Sequence, residues 1–298
     1  MATNVSTAFY DALFGSSVQP STNLLEQETL NLVKNTLKTP EKFSKLIPPL
    51  PAILVELIEL LKDEGTDFLD LVSIIEKDPS LAINVLKIAN SAKYSFNNEE
   101  VLSLKKAVSL LGVSGVASIA STVLIKSIMP DKPIYFKMFG RQIWIHSLQC
   151  AHLSEALAAF HHQNEFDAHF LGLIHDVGKI VIFESLCSAL GKVLSNEMPG
   201  SQTFKELMTE LSAEMSYLIA KEWNLPQSYC DALFQLSSKR SSDLSKIVHK
   251  ANTLSEIYLL FTKNIINEEQ VTSLVRKLNV DEALWYNFTL AAETFDMI

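Results

Sequence analysis

Residues 170–184 read FLGLIHDVGKIVIFE, which sets His175 beside Asp176 inside an apolar run. Ionisable groups are costly to bury unpaired, so a pair in such a run needs partners or an ion. Imidazole nitrogen and carboxylate oxygen together suit a borderline or hard divalent cation such as Zn, Fe or Mn. Two ligands do not complete a site. A third donor, His146 in WIHS, lies 29 residues upstream, and the polar stretch HHQNEFD separates the two runs. Helices on either side of that stretch would form an antiparallel hairpin and bring His146 across from His175. Neighbours on one helix point about 100° apart. On a helix, then, His175 and Asp176 would not meet face on but would flank one ion held against a second helix. Lys179, four residues after His175, would share its helical face. The plain expectation for it is a solvent-facing or salt-bridged lysine.

The elements that must position these residues are helical. Among 298 residues there are only 9 glycines and 10 prolines, and no alternating run bounded by Asn-Gly or Asp-Gly signals a hairpin of strands. Apolar spacing predicts helices over 23–38, along IPPLPAILVELIELLKDEG, and on both sides of Asp78-Pro79, where proline takes a favoured first helical position. Two more flank Gly112. A long helix is expected over 136–161, another from about Glu165 that carries His175-Asp176, and others over 202–223, 226–238, 243–262 and 267–277. The prolines of MPDKP mark a boundary. It divides a first lobe, 1–132, from a bundle over 133–262, with a helical extension over 263–298. The fold class is all-α.

Composition narrows the function. A formal net charge of −9 and the lack of a basic patch argue against nucleic acid. The helix–glycine–helix stretch LKKAVSLLGVSGVASIAS has almost no donors for base edges, so it reads as two packed helices. Cys150, Cys187 and Cys230 have no CxxC spacing and suit a reducing cytoplasm. The N-terminus has no basic region followed by a long apolar core, and the run 112–125 is too short to span a bilayer. A cytoplasmic protein without a membrane partner is expected. His249 is expected at the surface, and His161 and His162 near a helix end. His152 and His169 belong to no constellation legible in the sequence.

The sequence resembles the HD superfamily of metal phosphohydrolases, which use a first His, an His-Asp pair and a distant Asp. WIHS matches the first position and GLIHDVGK the pair; the distant position falls in IVHKANTLSE, where Asn252 stands. An amide is a poorer ligand than a carboxylate for a hard cation. IPPLPAILVELIELL, IIEKDPSLAINVLKIANSAKY, LKKAVSLLGV and EWNLP resemble, in order, the signatures of the HDOD family of HD-related output domains, over roughly 45–260. This resemblance implies a two-lobed helical HDOD fold with a degenerate HD-like bundle. It also implies a bacterial signalling setting in which hydrolase activity is generally undemonstrated. Ser212, in LSAEMS, and Ser237 and Ser238, in QLSSK, stand where members often carry histidines.

The expectation is a non-catalytic signalling or scaffold module that acts through a protein partner. His146, His175, Asp176 and Asn252 would form a vestigial or weak metal site, for Fe, Mn, Zn or Mg if occupied, and no other cofactor is expected. Two readings stand beside it. One is a divalent-metal phosphohydrolase or phosphodiesterase, in which Lys179 would serve a phosphate. The other is a sensor that binds a small phosphorylated ligand without turnover.

Overall fold

Side-chain caps start most of the helices. Asp78 accepts from the backbone N–H groups of Ser80 (2.8 Å) and Leu81 (3.1 Å) just ahead of Pro79, and Asn23 with Glu26 and Asn267 with Gln270 form reciprocal capping boxes. Each such cap satisfies donors that the first helical turn leaves without partners. The computed structural model describes residues 5–14, 22–62, 65, 67–91, 100–129, 134–190, 201–236, 242–293 and 295. Among them are fifteen helices and no strand. They are α1 (Val5–Phe14), α2 (Leu24–Leu37), α3 (Pro40–Leu46), α4 (Ala52–Leu60), α5 (Phe68–Glu76), α6 (Pro79–Ala89), α7 (Leu104–Ile128), α8 (Ile134–Phe160), α9 (Glu165–Ile174), α10 (Gly178–Leu190), α11 (Gln202–Glu222), α12 (Gln227–Leu236), α13 (Asp243–Thr262), α14 (Glu268–Lys277) and α15 (Glu282–Ala292).

The first lobe packs α4, α5 and α6 around α7. Asn90 closes it: its side chain donates to Leu86 O and Val101 O and accepts from Val101 N–H at 2.7 Å. α7 bends at Gly112, where φ is 73°. Gly112 breaks it into two helices, as the sequence suggests. By length and composition α7 could cross a membrane, yet much of it is packed inside the protein. Val116, Ala117, Ile119, Ala120 and Ile125 are all buried. The expectation for 112–125 took only part of this helix into account.

The second lobe is built on the α8–α9 hairpin, with α13 laid along α8 and α10, α11 and α12 completing the bundle. Trp223 of EWNLP donates from Nε1 to Pro48 O of IPPLP at 2.9 Å, which ties the two lobes together. The boundary expected at 132/133 falls at residues outside those described. α1 and α2, first in sequence, pack chiefly on the second lobe: α1 on α13 and α11, α2 on α10. Lys205, buried in α11, pairs with Asp11 of α1, and Glu26 of α2 accepts from Ser201 N–H at 2.8 Å. In the extension, α14 and α15 pack on α13 and α8, with Trp285 and Phe288 against Tyr258.

Candidate metal centre

His146 projects from α8. Its Nδ1 lies 2.8 Å from Ser255 Oγ, and that hydroxyl donates its proton to Gln149 Oε1 at 2.6 Å. The ring therefore donates from Nδ1 and turns Nε2 inward. His175 does the same by another route: it caps α9 and donates from Nδ1 to Gly172 O at 2.7 Å. Outer partners of this kind fix the tautomer and orientation of metal-binding histidines. Asn252 Oδ1 stands 2.9 Å from His146 Nε2 and 3.0 Å from His175 Nε2, and Asp176 Oδ2 is 3.3 Å from each.

The close approach of α8 and α9 depends on Gly172. A Cβ there would lie 2.7 Å from Cys150 O and from Ser154 Oγ, inside any tolerable contact. The structure thus brings His146, His175, Asp176 and Asn252 together, with the imidazole centroids 5.4 Å apart. It differs from the sequence reading at the His-Asp pair. α9 ends at Ile174, and a turn carries Asp176 to the start of α10 at Gly178. A Cβ on Gly178 would meet Ser212 O of α11 at 2.3 Å, so the packing of α11 against this point helps to define the turn. Within the turn His175 and Asp176 do meet, contrary to the expectation for neighbours on one helix. Lys179 belongs to α10, and so does not share a helical face with His175. Its ammonium pairs with Asp176 Oδ2 and is buried.

Other expectations fare differently. Ser212 Oγ donates to Asp176 Oδ1 at 3.4 Å. Ser237 and Ser238 lie outside the described residues. His249 is exposed at the mouth of an adjoining cavity. His169 does have partners, Thr122 and Glu155. Three neighbours of the site escaped the sequence reading. Cys150 is fully buried one turn after His146, with Sγ 3.6 Å from His146 Nε2. Its spacing from His146 on one helix face was the available signal. Phe9 and Tyr10 arrive on α1: the Phe9 ring lies 4.8 Å from the His146 ring, and Lys179 Nζ lies over Phe9 and Tyr10 at 5.2 and 5.4 Å. No local pattern links residues 9 and 10 to residue 146.

The electrostatics follow from this packing. Burial pushes Asp176 up, but His175 and Lys179 outweigh it and hold the carboxyl well below its usual range. Burial pushes His146 down, yet Cys150 and Asp176 raise it to about 9. His175 rises well above its usual value against burial, through Asp176 and Cys150. Burial raises Cys150, but the two imidazoles bring it down to about 7. Burial lifts Tyr10 to about 12.

Chemically, the donors fit a divalent ion. Two imidazole nitrogens each lie 2.9–3.3 Å from the same carboxylate and amide oxygens. Bonds of about 2.0–2.2 Å around one ion give edges of roughly that length. Beside the centre lies a cavity of about 610 Å³, bordered by Tyr10, Lys179, Glu210, Glu214, His249 and Glu256 among others.

Comparison with known proteins agrees with this architecture. The model of the HDOD domain matches residues 47–238. An uncharacterized protein of Treponema pallidum (strain Nichols) is 23% identical over 187 residues, 61% of this chain and 36% of that protein. The chain thus spans about a third of the length of that relative. Among solved structures, a candidate phosphohydrolase from Shewanella amazonensis SB2B superposes with a TM-score of 0.63 at 19% identity, over 91% of this chain and 96% of that one. A candidate signal transduction protein from Marinobacter aquaeolei VT8 gives 0.58 at 20% identity, over 93% and 66%. At such identities the likeness is one of fold.

Proposed function

The chain belongs to the HDOD family, and from that premise we propose that it is a non-catalytic signalling module that acts through a protein partner. One observation carries the reading: Lys179 sets its own ammonium on Asp176 Oδ2, beneath the rings of Phe9 and Tyr10. A metal hydrolase needs its carboxylate for the ion, and an open position on that ion for an activated water. Here the carboxylate already has a covalently tethered cation, and α1 covers the approach. The cavity beside it also opposes a phosphorylated ligand. Glu210, Glu214 and Glu256 border it, while the nearest lysine is committed to Asp176. Carboxylates repel phosphate at short range.

A second reading, the metal-dependent phosphohydrolase, is favoured by the convergence of both Nε2 atoms. His146, His175, Asp176 and Asn252 would then hold a divalent ion, whose chemistry is to polarise a phosphoryl oxygen and acidify a bound water. In that case Lys179 must leave Asp176 before it can meet a phosphate. The deciding assay offers the purified chain cyclic dinucleotides, cyclic mononucleotides and deoxynucleoside triphosphates with Mn, Fe(II), Mg or Zn. Turnover at background is expected. Reproducible turnover that His175→Ala and Asp176→Ala abolish would overturn the non-catalytic reading.

A further inference from the structure

Gln149 of α8 is only 6% exposed, and its Oε1 accepts from the Ser255 hydroxyl that meets His146 Nδ1. Among the described residues no acceptor meets its amide nitrogen, yet that nitrogen is not walled in by protein. Buried polar side chains are nearly always hydrogen-bonded. This one borders a second cavity, of about 400 Å³, to which α1, α8, α13 and α15 all contribute. Among the described residues it shares no lining side chain with the 610 Å³ cavity beside Asp176 and Lys179. We propose that this second cavity is a binding site for a free amino acid whose side chain is uncharged and accepts a hydrogen bond.

The lining is graded from floor to mouth. Gln149 and Phe9 are buried, Ile145 and Leu259 half-buried, and Lys263 and Glu293 exposed. The floor offers the N–H donors of the Gln149 amide. Among the buried lining residues the one titratable group is His146, and both its ring nitrogens are engaged, at Ser255 and Asn252. An ionised ligand group set there would be costly to bury, because no free counter-charge meets it. A carbonyl or hydroxyl oxygen would instead satisfy the amide. Phe9, Ile145 and Leu259 suit a short apolar stem. At the mouth, Lys263 ends α13 and Glu293 ends α15, and neither has an ion-pair partner among the described residues. An ammonium and a carboxylate on one mouth complement the two charged groups of an α-amino acid. A ligand of single charge would meet one of them as a like charge. Phosphate fits least, given a net charge of −9. The volume lies near the lower end of the roughly 300–1,000 Å³ common for small-molecule sites, which suits a ligand of this size.

The walls suggest what binding would do. Phe9 comes from α1 and Glu293 from the end of α15, at opposite ends of the described chain. A ligand that touches both would hold these outer helices on α8 and α13, and a partner protein can read such a change of order. For this role as signal input the inference rests on the non-catalytic signalling reading; the binding itself does not. The ordinary alternative is an amide that solvent water satisfies.

The test uses the full chain and the standard L-amino acids, offered one at a time at millimolar concentration in calorimetry. At least one with an amide or hydroxyl side chain should bind at one equivalent, ahead of the acidic and basic ones. The N-acetyl and carboxamide derivatives of the best binder each lack one end charge and should bind ~10-fold more weakly, the scale of one charge-assisted hydrogen bond. Gln149→Met should weaken binding about 10-fold, through loss of the floor donor. Should that variant not fold, Lys263→Glu at the exposed mouth decides, because it turns the carboxylate partner into a like charge. With ligand bound, hydrogen exchange should slow in α1 and α15. Binding by none of the amino acids, equal binding of the N-acetyl and carboxamide forms, or affinity untouched by the variants would overturn the assignment. Binding without slower exchange in either helix would overturn the input role. Those outcomes leave the non-catalytic reading standing, whereas hydrolytic turnover of nucleotides would remove that reading and leave amino-acid binding intact.

Discussion

Two histidine clusters lie along the α8–α9 hairpin, and they differ in how their polar atoms are paired. In one, His169 Nε2 meets Thr122 Oγ1 at 3.1 Å, Thr122 donates to Ser118 O at 2.9 Å, and His169 Nδ1 meets Glu155 at 3.3 Å. Ser118 Oγ also donates to Glu155, at 3.2 Å. Each ring nitrogen has its own partner, and the cluster pins α7 to the hairpin. In the other, both histidines spend Nδ1 on outer partners and direct Nε2 at shared oxygens. In the first arrangement the one ring shares its acceptors with no second ring. The second needs protons or a cation at its centre. A histidine on an apolar helix face is thus a candidate ligand when its neighbours turn a nitrogen toward other acceptors, and burial alone does not make it one.

The largest test of this contrast is charge removal. Asp176→Asn leaves the Lys179 ammonium buried without its counter-charge, a change of the kind that costs about 3–5 kcal/mol. Glu155→Gln keeps an acceptor in a more open place and should cost about 1 kcal/mol. Chemical denaturation of the two variants measures the difference, and equal losses would remove the distinction between the clusters. Lys179→Met combined with Asp176→Asn should recover much of the larger loss.

Next in size is Gly172→Ala, which puts a methyl 2.7 Å from Cys150 O and Ser154 Oγ. It wedges apart the hairpin that both clusters share and should destabilise by about 1–3 kcal/mol. It should also weaken Zn binding, because His175 anchors its ring on Gly172 O. Unchanged melting and unchanged Zn affinity would show that α9 shifts without cost.

A smaller effect sharpens the metal side of the comparison. Asn252→Asp supplies an anionic oxygen to both Nε2 atoms and should raise Mn or Fe(II) affinity about 10-fold, the lower range for changes around metal sites. Calorimetry on the variant and its parent measures this. Equal affinities would mean that the amide is not a ligand position. The last test concerns the cover. Asp11→Asn takes the counter-charge from buried Lys205, Asp11 itself being about a third exposed, and should cost about 2–3 kcal/mol. Hydrogen exchange should quicken in α1 while α13 stays protected, and exchange that rises equally in both would show that α1 is no separable cover.

Much of the fold was legible because helix formation is governed locally. The stretch 243–262 was expected as a helix and is α13, Asp243–Thr262, since its apolar period and Ser242 cap lie within a few residues of one another. Asp78-Pro79 and Gly112 mark their breaks for the same reason. The pairing of His146 with His175 could also be read, because a short polar connection between two helices leaves an antiparallel hairpin as its simple solution. The turn at His175-Asp176 was hidden, because its sequence is as apolar as a helix. The packing of α11 at Gly178 helps to end α9 there, and that packing is set by residues near 212. Lys179 looked ordinary until the turn buried it on Asp176. Cys150, Phe9 and Tyr10 reach the centre only because α8, α9, α13 and α1 converge. Sequence specified the donors and the helices that carry them, through rules that act over one or two turns. Which donors face one another, and what covers them, was decided by contacts between residues from tens to well over a hundred positions apart, for which no local spacing rule exists.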